Sequence, residues 1–141
     1  MNIFEMDVYK LSMKVGEKVW SIVAKWNYFD KDTVGKQLVR AMDSVAANLS
    51  EGFGRYHYKE KKNFSYYSRG SLYESRTWLE KGKNRNLLSE DDFIYFKTNI
   101  NSIGRILNGY INAIGKYPEN NKVEEPEENY YSKSDDIFFQ E

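Results

Sequence analysis

The chain has 141 residues, no cysteine, 16% aromatic residues and equal numbers of acidic and basic side chains. Without cysteine it has no disulfide, no thiolate nucleophile and no cysteine-based metal site, and its length suits one domain with a substantial core. No apolar run approaches the roughly 20 residues that cross a bilayer, and the N-terminus lacks the pattern of a signal peptide. We therefore expect a cytoplasmic protein without membrane contact.

The zero net charge hides an uneven distribution along the chain. Residues 1–116 hold 19 Lys and Arg against 13 Asp and Glu, whereas residues 117–141 hold 2 against 8. Both prolines, Pro118 and Pro126, lie in the acidic part, and the long stretch without proline favours long helices. We predict a helical domain over residues 1–116 and an acidic, mostly disordered tail over residues 117–141.

Apolar residues spaced three and four apart predict the first two helices. The first runs from about Asp7 to Trp26, and the second from about Val34 to Glu51 after a connection over residues 27–33. Trp20 widens the apolar stripe of the first helix, as expected of a helix in a bundle. The main stripes are Val8, Leu11, Val15, Val19, Ile22 and Trp26 in the first helix, and Leu38, Met42, Val45 and Leu49 in the second.

A line of polar residues runs beside the apolar stripe of the second helix. It consists of Gln37, Arg40, Ser44, Asn48 and Glu51. The line is either the solvent face of the helix or a structural polar network that fixes the helix register. In a helical hairpin centred near residue 56, Arg40 falls within one turn of Glu74 on the third helix, so we expect an Arg40–Glu74 ion pair inside or at the edge of the bundle.

The second and third helices meet at a glycine corner, where Gly54 would allow a sharp turn with positive φ. The third helix runs from about Lys59 to Lys81 or Lys83. Gly70 in its interior costs about 1 kcal/mol relative to alanine, which predicts a closely packed neighbouring backbone. The predicted buried side consists of Phe64, Tyr67, Ser71, Leu72, Trp78 and Leu79.

The fourth helix has the most regular apolar pattern of the chain. Ser89 is its predicted cap, and acidic residues follow in the first turn, where the helix dipole favours them. Its seam is Phe93, Phe96, Ile100, Ile103, Leu107, Tyr110 and Ile114, and a second apolar edge is Ile94, Ile106 and Ile111. The second edge predicts contact with another subunit. Together the four helices predict an all-α, antiparallel up-down-up-down four-helix bundle.

Two clusters of basic residues indicate nucleic-acid binding. The first is Arg55, Lys59, Lys61 and Lys62 beside Tyr56 and Tyr58, and the second is Lys81, Lys83 and Arg85, which should share an end of the bundle with Lys25 and Lys31. Lysines at the start of a helix oppose its dipole, which hints at a function, and tyrosines can stack on bases. The alternative is that these lysines only keep the protein soluble. The acidic tail leaves from the end that carries the first cluster and could screen it.

The sequence contains no catalytic constellation. His57 is the only histidine and lies in a basic turn, and Glu90, Asp91 and Asp92 fit helix capping better than paired acid–base chemistry. A metal site lacks both cysteines and a pair of histidines. We expect no catalytic residue, no metal and no cofactor.

Residues around the corner resemble the signature of the four-helix bundle proteins of 23S rRNA intervening sequences, to which the accessory variability proteins of diversity-generating retroelements look related. The resemblance covers roughly residues 5–116. The matching residues are Gln37, Arg40, Ser44, Val45, Asn48, Glu51, Gly52, Gly54, Arg55, Phe64, Gly70, Ser71, Leu72 and Glu74. The resemblance implies a homopentamer without established catalysis and, through the retroelement proteins, binding of nucleic acid and of a reverse transcriptase.

Two functions follow as hypotheses. The first is a non-enzymatic oligomeric bundle that binds RNA or DNA through its basic patches, as an accessory to a nucleic-acid enzyme. The second is a structural or adaptor oligomer that binds a protein partner and has no role with nucleic acid.

Overall fold

The computed structural model describes residues 2–115, which form four long helices packed together. The bounds are α1 Asp7–Val23, α2 Tyr28–Asp30, α3 Lys36–Phe53, α4 Tyr58–Asn84 and α5 Glu90–Ala113, with a 3-10 turn over Ile3–Glu5 and a π-helical segment over Lys31–Gly35. The predicted second, third and fourth helices are α3, α4 and α5. The predicted acidic tail lies outside the described residues.

The long helices form a closed ring of neighbours. α3 packs against α1 and α4, and α5 packs against α4 and α1. With short connections between them, consecutive long helices run antiparallel, so the predicted four-helix bundle is confirmed. We call the end with the α3–α4 turn the corner end, and the opposite end, with the α1–α2 and α4–α5 connections, the far end.

The seam predicted for the last helix forms the centre of the core. All seven of its residues, from Phe93 to Ile114, are buried in α5 and the residue that follows it. The Ser89 side chain caps α5 by accepting a hydrogen bond from the Asp92 N–H at 3.1 Å. The N-terminal residues were not predicted to take part, yet Ile3 and Met6 are fully buried against the same core.

The second apolar edge of α5 is partly used within the single chain, so the predicted contact with another subunit is wrong for Ile111. Ile111 is buried and Ile106 packs against the core, whereas Ile94 is 51% exposed. Because α5 lies between α1 and α4, the C-terminal half of this edge meets its neighbours in the bundle. Ile94 and the half-buried Ile106 remain available to another subunit, and that contact stays a prediction.

The second helical region begins earlier than its apolar stripe predicts. Asn27 is the cap, since its side-chain oxygen accepts a hydrogen bond from the Asp30 N–H at 2.9 Å. Helical backbone then continues through the π-helical segment into α3. A π turn holds more residues than an α turn, so it shifts the spacing of apolar residues and hides the start of the helix.

Small residues let α3 and α4 approach closely. A Cβ atom at Gly52 would lie 2.6 Å from the Cβ of Phe64, and the Ser68 hydroxyl donates a hydrogen bond to the Val45 carbonyl across the two helices. Two glycine predictions were wrong. Gly54 has φ of −75° and needs no left-handed conformation, and a Cβ at Gly70 would meet no described atom within 4 Å. Gly70 lies on the exposed side of α4, so the bundle itself does not require it.

These two glycines give a matched pair of substitutions. Gly52→Ala should lower the free energy of unfolding by about 1–3 kcal/mol, because the added methyl overpacks the contact with Phe64. Gly70→Ala should raise it by about 0.5–1 kcal/mol, the gain in helix propensity. Urea unfolding followed by circular dichroism measures both. A destabilised Gly70→Ala variant would show that another molecule approaches the chain at that position.

Candidate functional site

The polar line predicted on the second helix lies on the outer surface of α3, where none of its five residues is fully buried. Gln37, Ser44 and Asn48 are half-buried there. The Ser44 hydroxyl donates to the Arg40 carbonyl at 2.7 Å, and the Asn48 amide donates to the Ser44 carbonyl at 2.9 Å. These hydrogen bonds stay within α3, so they cap local backbone groups and do not tie the two helices together. The predicted role of the line in fixing the helix register stays a prediction.

The predicted Arg40–Glu74 ion pair is not formed among residues 2–115. Both residues are exposed, and the Glu74 carboxylate accepts a hydrogen bond from the Trp78 indole N–H at 3.3 Å. Equal distance from the hairpin turn does not by itself pair two residues, because each side chain must also point toward the other helix. Arg40 lies on the side of α3 that faces the end of α1, where it lines a cleft with Trp20.

The basic cluster at the corner end is smaller than the sequence predicts. The Arg55 guanidinium lies 3.1 Å from the Glu51 carboxylate and stacks over the Phe64 ring at 4.8 Å. Lys61 is buried at 9% exposure, with its ammonium 5.7 Å from the centre of the Phe53 ring. Arg55 and Lys61 therefore hold the corner together. Lys59, which is exposed, and Lys62, which is half-buried, remain for a ligand.

The two tyrosines of the corner end have different environments. Tyr56 is 77% exposed and meets the His57 ring edge to face, with 5.0 Å between the ring centres. Tyr58, by contrast, is the first residue of α4 and packs against the core. Of the two tyrosines, Tyr56 keeps its ring open to solvent, and its stacking on a base stays a prediction.

The second basic cluster lies at the far end, together with Lys25 and Lys31 as predicted from the topology. The Lys81 ammonium lies 5.9 Å from the centre of the Trp78 ring, and the Lys83 ammonium lies 4.5 Å from that of Phe93. Arg85 is exposed just beyond α4. A lysine over an aromatic face keeps part of its ammonium open to solvent, so this cluster retains its positive charge at the surface.

The sequence analysis missed the exposed aromatic residues at the far end. Trp20 is 61% exposed, Tyr28 79% and Phe29 73%. Trp20 was assigned to the apolar stripe of α1, and the other two residues fell in the predicted connection. The adjacent pair Tyr28-Phe29 outside any apolar stripe was the available signal, because two large aromatic residues in a connection need either a core or a partner.

The groove between α1 and α3 also contains an unpredicted acidic group. Asp43 is exposed overall, but the groove removes part of the water around its carboxyl, which raises the pKa of that group, and the nearby Glu17 raises it further. A Cβ at Gly16 would lie 2.9 Å from the Asp43 carboxylate, so the glycine makes room for it. This carboxylate therefore sits in an environment that disfavours its charge.

Among residues 2–115, no three His, Cys, Asp or Glu side chains come together as metal ligands. Within the same range no helix combines the length and the apolar character that spanning a bilayer requires.

The raised pKa of Asp43 predicts a pH-dependent effect on stability. Its carboxyl binds a proton more tightly in the folded than in the unfolded chain, so ionised Asp43 destabilises the fold at pH 7. Asp43→Asn should raise the melting temperature at pH 7, and the gain should vanish as the pH falls below the ordinary value of 3.8. Glu17→Gln should act in the same direction but more weakly. A lower melting temperature for Asp43→Asn at pH 7 would mean that a cation pairs with this carboxylate.

The comparison with protein families identifies the chain's relatives. The family model of the 23S rRNA-intervening sequence protein matches residues 5–109, and the chain belongs to this family. No curated protein matches the chain.

Proposed function

We propose that this member of the 23S rRNA-intervening sequence protein family is a non-enzymatic, oligomeric bundle that binds RNA or DNA, as an accessory to a nucleic-acid enzyme. The observation that carries the proposal is the pairing of exposed cations with exposed aromatic rings at both ends of the bundle. At the corner end the exposed Lys59 and the half-buried Lys62 accompany Tyr56, and at the far end Lys25 and Lys31 accompany Tyr28.

This pairing fits a nucleic acid better than it fits solubility alone. Lysines that only keep a protein soluble need no particular neighbours, and exposed tryptophan or tyrosine works against solubility. Proteins that bind single strands combine cations along the phosphates with rings on which bases stack. None of Lys25, Lys31 and Lys59 forms an ion pair within residues 2–115, so each can release counterions from a phosphate.

The proposal includes an oligomer, for which α4 supplies the surface. Tyr66, Tyr67 and Tyr73 are between 43% and 56% exposed along one side of this helix, and Gly70 lies among them without a neighbour. Such a strip suits burial against a second copy. A ring of copies, a pentamer by the family resemblance, would repeat each basic end and convert weak contacts into avidity.

The same tyrosine strip favours a second candidate function. Tyrosine is enriched at protein interfaces, because it combines apolar area with a polar tip. The strip could therefore bind a protein partner, such as the reverse transcriptase that the resemblance to accessory variability proteins suggests, and the protein would then act as an adaptor without nucleic acid.

The salt dependence of binding tests the nucleic-acid proposal. Fluorescence anisotropy of labelled 20-nucleotide RNA and DNA would be measured between 50 and 200 mM salt, conditions over which phosphate contacts weaken steeply, with about 0.7 of slope per contact on single strands. The double variant Lys59→Gln/Lys62→Gln should bind more weakly and with a flatter slope. Lys10→Gln/Lys14→Gln, which removes the same charge from exposed positions of α1, is the matched control. Equal losses of affinity in both variants would show that net charge, and not the position of Lys59 and Lys62, determines binding.

Removal of residues 117–141 tests the screening role predicted for the acidic tail. The truncated chain keeps every helix of residues 2–115 and loses 8 acidic against 2 basic residues, so it should bind both probes more tightly at low salt. Phosphate contacts are strongest at low salt. A truncated protein that binds neither RNA nor DNA near 50 mM salt would contradict the nucleic-acid proposal and favour the adaptor function.

Sedimentation tests the oligomer separately. At micromolar concentration the chain should sediment at several times its mass of 16.7 kDa. Tyr67→Lys, which places a charge in the strip, should reduce that mass, because a buried unpaired charge is costly. The control is Tyr56→Lys, a similarly exposed tyrosine outside α4. A monomeric parent protein would contradict the oligomer and the avidity that depends on it.

A further inference from the structure

We infer that a cleft at the far end of the bundle binds one nucleotide of a single strand, with the base against Trp20 and Tyr28 and the phosphate on Lys31, Lys36 and Arg40. The inference rests on the proposed function and gives it a specific site. None of these residues except Lys31 belonged to the predicted clusters for nucleic-acid binding.

The cleft has the size and lining of a ligand site. It has a volume of about 500 Å³ and lies between the end of α1, the short α2, the π-helical segment and the start of α3. Ligand sites in proteins are commonly clefts of about 300–1,000 Å³ with mostly apolar walls and a few polar groups. The apolar floor here is formed by Val23, Ala24, Gly35 and Val39.

The π-helical segment brings the cations of the cleft to one side. In an α-helix, residues five positions apart point in different directions, whereas the wider π turn brings them closer to one face. The Lys36 N–H donates to the Lys31 carbonyl, which closes such a turn. Arg40 follows Lys36 by four residues, about one α turn, so all three cations line the same cleft. Irregular turns of this kind are frequent at functional sites.

These cations are available to an anion. Within residues 2–115, Lys31, Lys36 and Arg40 have no carboxylate within 4.0 Å, and Asp32 is the single acidic residue of the lining. Unpaired cations beside apolar walls suit a ligand that is both anionic and flat. A nucleotide has this combination, since its base presents an aromatic face and its phosphate accepts hydrogen bonds from Lys and Arg.

The aromatic walls and the glycine complete the shape. Trp20 and Tyr28 border the cleft and remain largely exposed, so their faces are open to stacking. A Cβ at Gly35 would lie 2.6 Å from Val23 and 3.3 Å from the Trp26 ring, so the helix can lie this close to α1 only with glycine there. A larger residue would displace the floor of the cleft.

The groove beyond the cleft limits how far a strand can follow α1. Farther along the same two helices, Glu17 and Asp43 line the next depression. Their carboxylates repel phosphates, so a strand in the cleft must continue toward Lys25 and the far-end cluster and not along the groove. The cations of the cleft therefore favour an anionic ligand, and the carboxylates of the groove set the direction in which a bound strand continues.

The test uses the full chain and two 12-nucleotide probes, oligo(dT) and oligo(rU). The probes are labelled for anisotropy and unlabelled for tryptophan fluorescence. Anisotropy should show at least about a fivefold loss of affinity for Trp20→Ala, the lower limit for loss of one base–aromatic stack. Lys36→Gln/Arg40→Gln should show a comparable loss with a flatter salt slope. The controls are Phe4→Ala, an exposed ring in the 3-10 turn ahead of α1, and Lys10→Gln/Lys14→Gln. Both controls should bind like the parent protein.

Tryptophan fluorescence gives a direct reading of stacking. The chain has three tryptophans, and Trp20 is the exposed one, so binding of either probe should quench its emission. Trp20→Phe should retain most of the affinity, because phenylalanine still stacks, and lose most of the quenching. Thermal melts equal to that of the parent protein confirm that the variants fold.

Three results would overturn the inference, and they separate it from the proposed function. If both cleft variants bind like the parent protein, the strand uses other cations and only the cleft assignment fails. If Trp20→Ala instead lowers the sedimenting mass while affinity per chain is unchanged, a second copy occupies the cleft. If the parent protein binds neither probe, the inference and the proposed function fail together.

Discussion

The approach of α4 to α3 at Gly52 is the constraint on which the corner depends. Only a residue without a side chain leaves room for the Phe64 Cβ at this point, and Phe64 in turn provides the ring over which Arg55 stacks. Glu51 completes the arrangement by pairing with Arg55. These contacts hold the turn in place. As a consequence, two of the four predicted cations, Arg55 and Lys61, stabilise the fold and do not serve a ligand.

Because Arg55 and Lys61 serve the fold at the corner end, more of the cations that can bind a ligand lie at the far end. The far end therefore contributes more to the proposed function. There the helices finish with basic residues, and the π-helical segment adds Lys31 and Lys36 beside rings that the core does not use. The corner end offers fewer free cations and one exposed ring, Tyr56. In an oligomer either end would be repeated, so even a modest difference between them would be multiplied by avidity.

How much the sequence predicts depends on whether a feature is periodic. The α5 seam was predicted residue by residue, because burial in a bundle follows the helical period and little else competes with it. The π-helical segment could not be predicted, since its extra residue breaks that period. Residue spacing also gives height along a helix but not which neighbour a long side chain turns toward. For that reason Arg40 was paired with Glu74, although it lines the cleft beside Trp20.

Burial of long side chains is the second feature that spacing does not reveal. Lys61 appeared to be one more surface cation of a basic stretch, yet its stem is buried and its ammonium lies over Phe53. Lysine can cover apolar surface in this way because its stem is a hydrocarbon chain. The sequence therefore indicates basic and aromatic surfaces at both ends of the bundle but not which of their long side chains the fold itself uses. That these surfaces bind a ligand stays a prediction.

Ultraviolet crosslinking of a bound single strand, followed by mass spectrometry of the peptides, tests the central claim most directly. The claim is that exposed rings beside unpaired cations contact the bases at the ends of the bundle. The account predicts adducts on Trp20 and Tyr28 at the far end and a weaker one on Tyr56 at the corner end. Adducts confined to the α4 tyrosines Tyr66, Tyr67 and Tyr73 would contradict it, because nucleic acid would then bind the strip assigned to protein contacts.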